Sequence, residues 1–223
     1  MFLTDLADAC RKSGLKVVEL PGWRDRGRPG EFAPMGVLCH HTGGDSDSRD
    51  YVDWMARTGR PDLPAPLAQL ALDRQGTVYV SAAGRSNHAG VSGGSGPIPA
   101  GDGNALMVGI EALNNGSEGW TTRQRDAYVA LCAALCEHYG WPASHVRGHR
   151  ETSVTGKWDP GLLDMDELRA DIHKALEDDM FTDADRQTLN DIKKALGAQR
   201  PIRRKLVRLN QRVKNAFRRK EAA

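Results

Sequence analysis

The sequence has seven histidines in 223 residues. One histidine alone is more often a satisfied core or surface residue than a ligand, so their grouping is what matters. His40 and His41 stand side by side at the end of the apolar run GVLCHHT. Side chains alternate along a strand, so the two point to opposite faces and only one can join a given set of partners. His149 precedes Lys157 by eight residues and Asp159 by ten. If that segment is extended, Lys157 and Asp159 project to the same side. Catalytic zinc is commonly held by three ligands drawn from His, Asp, Glu and Cys, with one position left for water. Two histidines and an aspartate fit that rule. In the competing reading Asp159 caps the turn at Pro160-Gly161 and Lys157 is merely solvated, and spacing alone does not choose between them.

These residues need elements to carry them. A short helix capped by Thr4, with Leu3, Leu6 and Cys10 on one side, opens the chain, and the extended LKVVEL follows it. GVLCHHT reads as a buried strand, SDSRDYVDWMARTG as a helix with Tyr51, Trp54 and Met55 inward, and PDLPAP as a loop. LAQLALDRQGTVYV reads as a hairpin turning at Asp73 to Gly76, and residues 90–103 as a flexible Gly-rich loop beside the site. That loop lacks GxxxxGK[ST], which excludes a phosphate-cradling P-loop. In LMVGIEA, the residues Leu106, Val108, Ile110 and Ala112 share one face, while Met107, Gly109 and Glu111 share the other. Glu111 therefore points away from the more apolar face.

A helix over 122–139 starts on the capping-box pattern Thr121-x-x-Gln124 and buries Tyr128, Leu131 and Leu135. HVRGHRE is a short strand or its end. Asp164, with Glu167 three residues on, caps a helix from Met165 to about Glu177 that buries Leu168, Ile172 and Leu176. Strands mixed with helices throughout predict an α/β fold: one central mixed β-sheet flanked by helices, followed by a helical basic tail. The expected division is residues 1–178 as the catalytic domain and 179–223 as the tail.

The net charge of +2 conceals a split. Residues 199–223 hold ten Lys or Arg and one Glu, +9, which leaves 2 − 9 = −7 for the first 198. After Pro201, Ile202, Leu206, Leu209, Val213 and Phe217 form a stripe at helical spacing among these cations. Such a helix either attaches to an anionic cell-wall polymer or membrane surface, or packs its stripe on the domain or a second subunit. Nucleic-acid binding has charge in its favour but no stacking aromatics or motif, and nothing sets the oligomeric state. All four cysteines read as reduced and buried, and there is no CxxC. The N-terminus has acids at Asp5 and Asp8 and no basic leader followed by an apolar block, so synthesis is expected to end in the cytoplasm.

The segments VLCHHT, DRQGTVY, RSNHAGVS, GIEALNNG and GHRETSVTGKWDPG occur in that order over roughly residues 30–175. Together they resemble the signature blocks of the N-acetylmuramoyl-L-alanine amidase family, the type-2 amidases related to peptidoglycan recognition proteins. The branch they are most similar to includes cytoplasmic anhydro-muropeptide amidases and many phage endolysins. The resemblance implies zinc (Zn2+) held by His40, which begins the family's HxT pattern, with His149 and Asp159. It makes Glu111 the acid that activates the attacking water and Lys157 the cation near the scissile carbonyl oxygen. His88 matches a cleft histidine that contacts substrate, and His41, at the variable middle position, is assigned to substrate as well. The implied activity is hydrolysis of the amide between N-acetylmuramic acid and L-alanine by a phage endolysin. The alternatives are a recycling amidase acting on soluble fragments and a noncatalytic peptidoglycan-binding module. Ala68-Gln69 departs from the Tyr-His or Ala-His of relatives, which puts one substrate or supporting contact in doubt.

Overall fold

The computed structural model describes residues 1–179 and, beyond them, Ile192 alone. The chain divides into two units, Met1–Ala175 and Leu176–Ala223, and the first carries the sheet and the cleft. The expectations for the tail, including its cationic helix over 199–223, lie outside the described residues.

In chain order the elements begin with α1 (Leu6–Arg11), β1 (Val17–Glu19), β2 (Val37–His41), α2 (Arg49–Arg57), β3 (Gly59–Arg60), β4 (Leu63–Pro64), β5 (Leu70–Leu72) and β6 (Val78–Val80). They continue with β7 (Val91–Ser92), β8 (Gly101–Asp102), α3 (Gly103–Leu106), β9 (Val108–Ala112), α4 (Thr122–Tyr139), β10 (Val146–Gly148), α5 (His149–Thr152) and α6 (Met165–Asp179). Six strands form one sheet in the order β1-β6-β5-β9-β2-β10. It is mixed: the β5–β6 hairpin is antiparallel and every other pair is parallel. The α/β architecture read from the sequence is the one observed.

Register places the chemistry. Tyr79, Ala71, Glu111 and His40 are successive cross-strand partners on β6, β5, β9 and β2. They share one face, because partners in register point the same way. Over the Tyr79–Ala71 end lies α2, whose Val52, Met55 and Ala56 pack on Ala71, Leu67 and Leu113. The His40 end stays open for the segment after β10. On the opposite face α4 buries Tyr128, Leu131, Cys132 and Leu135. The Tyr128 hydroxyl accepts from His40 N at 2.9 Å and donates to Ile110 O at 3.0 Å, so the strand end that presents His40 is pinned from behind.

Several expectations change in detail. Thr4 does not cap α1; its N-cap is Asp5, whose carboxylate makes no cap bond and instead meets His138 and Tyr139. Thr121 accepts from Gln124 N, but the Gln124 side chain serves Leu113 O and Asn114, so only half of the capping box forms. Leu176 is only half-buried. The PDLPAP stretch contributes to the β3–β4 ribbon. Residues 90–103 are not a flexible loop: β7 pairs with β8, Ser92 bridges to Ser153, and Ile98 is buried against Leu38 and Met107. One apolar side chain reaching the core is what orders a segment otherwise rich in glycine. All four cysteines are free and buried. Among the described residues no helix is long and apolar enough to cross a membrane.

Candidate active site

His40 is the fourth residue of β2, and Glu111 is its cross-strand partner on β9. His149 opens α5 directly after β10, so it begins a helical turn and does not sit on a strand. Asp159 follows on the irregular segment leading to Pro160. His40, His149 and Asp159 are all buried, and one ligating atom from each lies within 4.8 Å of the others. His41 stands on the alternate face of β2, as strand geometry requires, and takes no part in this group.

The three donors are oriented by their neighbours. Asp159 Oδ2 lies 2.7 Å from His40 Nδ1 and 3.1 Å from His149 Nδ1. His149 Nε2 donates to Ala89 O at 3.2 Å, and His40 Nε2 lies 3.1 Å from His88 Nδ1. With the Nε2 hydrogen of His149 committed to Ala89 O, its Nδ1 is the edge turned toward the carboxylate. A ring nitrogen and a carboxylate oxygen aimed at one point can both serve a cation. Burial pushes His40 down to about 4, against the opposing pull of Asp159, so it is neutral. Burial alone would raise Asp159, but hydrogen bonds from His149 and His40 outweigh it and hold the carboxylate below its usual range. Two imidazoles and one carboxylate fit a catalytic zinc set with a position to spare.

An open cleft of about 200 Å³ adjoins this group, and Tyr51, Trp54, Arg60, Glu111 and Lys157 help to line it. Glu111 Oε2 is sealed from solvent and without a partner. Burial, reinforced by the charge of Asp159 and opposed by Lys157, pushes Glu111 up to about 8. A carboxyl in that range exchanges a proton near neutrality. Lys157 and Asp159 both reach the cleft, as an extended segment predicts.

His88 is buried beside His40. Burial, followed by the proximity of His40 and His149, holds it well below its usual value. It needs Gly109: a Cβ there would lie 2.6 Å from the ring. His41 lines the cleft, but its Nδ1 accepts from Gly161 N at 2.8 Å, so one edge of the ring braces the segment that carries Asp159. Gln69, where a relative's histidine was missed, is fully buried between Gly84 O and Gly109 N and holds two backbones together.

Two residues that sequence reading passed over also shape the site. Asn104 Oδ1 accepts from both His88 N and Ala89 N. Arg150 donates through its backbone to Asp159 O at 2.7 Å and through its guanidinium to Pro160 O and Leu163 O. No motif distinguishes either from an ordinary turn asparagine or surface arginine.

The model of the N-acetylmuramoyl-L-alanine amidase family matches residues 30–162. Among solved structures the chain is similar to a selenomethionine derivative of AmpD, with 23% identity and TM-score 0.53, covering 70% of this chain and 93% of that one. It is likewise similar to the catalytic domain of XlyA, with 19% identity and TM-score 0.53, covering 71% and 99%. A third is AmpDh3 of Pseudomonas aeruginosa in complex with an anhydromuramic pentapeptide, with 21% identity and TM-score 0.50, covering 69% and 65%. At these identities the structural likeness shows the fold. No curated protein matches the sequence.

Proposed function

Because the chain belongs to the N-acetylmuramoyl-L-alanine amidase family, we propose that it is a zinc-dependent, endolysin-like enzyme. It hydrolyses the amide between the lactyl group of N-acetylmuramic acid and L-alanine in the intact wall. The observation that carries this reading is the convergence of His40, His149 and Asp159 beside Glu111 on the neighbouring strand. Zinc held by these three residues supplies Lewis acidity, polarising a carbonyl oxygen and lowering the pKa of water from 15.7 towards about 7.

The chain's own residues do the remaining work. Glu111, in its ionised form, takes the proton of the attacking water and passes it to the departing amine of L-alanine. Lys157 places a positive charge where the carbonyl oxygen becomes anionic, a kind of contact whose removal costs about 3–4 kcal/mol elsewhere. His88 keeps His40 in its tautomer and, with the free edge of His41, faces the substrate. Residues 1–178 carry the catalysis, and the +9 segment 199–223 attaches to anionic wall polymer or membrane surface.

The second reading, a recycling amidase for soluble fragments, draws on the likeness to AmpD and to AmpDh3 with its anhydromuramic pentapeptide. Digestion of purified sacculi and of soluble anhydro-muropeptides, side by side, separates the two. An endolysin releases new L-alanine amino termini from sacculi at a rate comparable to that on fragments. Cleavage confined to soluble fragments contradicts the endolysin role, and no cleavage of either contradicts the amidase.

A further inference from the structure

Trp158 sits between the cation Lys157 and the ligand Asp159, yet it is 54% exposed. Its neighbours turn into the cleft, while it turns outward over the end of β2. Its ring meets the edge of His41 with centroids 4.3 Å apart at an interplanar angle of 65°. The floor beneath it is two glycine backbones: a Cβ on Gly161 would overlap the Trp158 ring, and one on Gly116 would lie 2.6 Å from it. That floor is itself fixed, because Gly161 N donates to His41 Nδ1 at 2.8 Å and Gly161 O accepts from Trp120 Nε1 at 2.7 Å. One side of the indole is therefore seated on pinned backbone and the other is open to solvent.

A single exposed ring is ordinary on a protein surface, but this one is seated on pinned backbone between two residues that line the cleft. Holding it still in advance reduces the ordering cost of whatever covers it. On the proposed amidase reading, the scissile amide lies in the cleft with a sugar one lactyl group away on one side and a peptide on the other. The amides and carboxylates of a stem peptide match an indole face less well than apolar C–H groups do. A pyranose presents a flat face of C–H groups, which matches that ring in shape and polarity. We infer that Trp158 is a sugar platform: a pyranose of the glycan strand stacks on its open face and registers the adjoining amide against the cleft.

This inference rests on the amidase reading, and its test is built to fail separately from it. Two substrates are compared: a disaccharide-peptide carrying the N-acetylated sugars, and the same peptide bearing only the lactyl group. In wild type the first has the higher kcat/KM. Trp158→Ala lowers the ratio of the two by about tenfold or more, equivalent to ~1.4 kcal/mol, while Trp158→Phe retains most of it. Calorimetry with the peptide-free disaccharide shows a matching loss of affinity in Trp158→Ala. An unchanged ratio overturns the platform, including the case in which both substrates suffer equally because the indole only props the segment. Wild-type protein that leaves both substrates intact contradicts the amidase reading instead, and the disaccharide affinity of the two variants then judges the platform by itself.

Discussion

The fold holds Glu111 protonated at pH values where a solvated glutamate is ionised. Its folded pKa stands at about 8 against an ordinary 4.5, chiefly through burial. A carboxyl raised in this way contributes stability fully below pH 4.5, and that contribution is lost as pH climbs through about 8. Glu111→Gln keeps the shape and removes the titration. In metal-free protein it raises Tm at pH 8 relative to wild type, the gain vanishing near pH 4, and it abolishes turnover with zinc present. A pH-independent difference in thermal-shift curves would mean that Glu111 is not held protonated. Arg150 acts one step further out, fastening the backbone of Asp159, Pro160 and Leu163 without touching the ligand atoms. Arg150→Gln should weaken zinc affinity by about 10- to 100-fold, the usual cost of losing a supporting contact around a metal site. Titration against a competing chelator reads this directly, and wild-type affinity would remove Arg150 from the account.

At the level of elements, the pairing of β2 with β9 is what brings the proposed ligand His40 and the proposed proton carrier Glu111 together. His40 opposes Glu111 only because Val37 opposes Val108 three residues earlier. Period-two alternation made this legible: the sequence assigns Glu111 to the less apolar face of its strand and separates His40 from His41. What alternation cannot supply is the partner strand or the register, which depend on side chains from elsewhere in the chain. Tyr128 is an example. It reads as a core residue of α4, and its hydroxyl proves to hold the backbone of His40 and Ile110. Tyr128→Phe removes the hydroxyl's bonds to those backbone groups, whose ladder bonds remain, and is expected to cost about 0.5–1.5 kcal/mol, measured by urea unfolding. A loss below about 0.5 kcal/mol would show that the hydroxyl is dispensable. The Gly-rich 90–103 segment failed as a reading for a related reason. Its local composition signals a loop, whereas its order comes from Ile98 reaching a distant core of Leu38 and Met107.

Across the whole molecule, charge divides the sequence into two stretches of opposite sign. The first 198 residues carry −7 and the last 25 carry +9. If the basic segment concentrates enzyme on an anionic wall, deleting residues 199–223 lowers turnover of sacculi severalfold at low salt. The deficit closes as ionic strength rises, and turnover of soluble muropeptide is unaltered. Equal loss on both substrates would assign the segment to folding or assembly instead.

On the proposed function, His40, His149 and Asp159 hold one zinc that is required to cut the bond before L-alanine. The most direct measurement counts bound metal by native mass spectrometry and new L-alanine amino termini in the same digest, for wild type and for His149→Ala. Wild type is expected to carry one zinc per chain and to release L-alanine, with both lost in the variant and both lost on chelation. L-alanine release that persists in metal-free protein, or in His149→Ala, would contradict that reading.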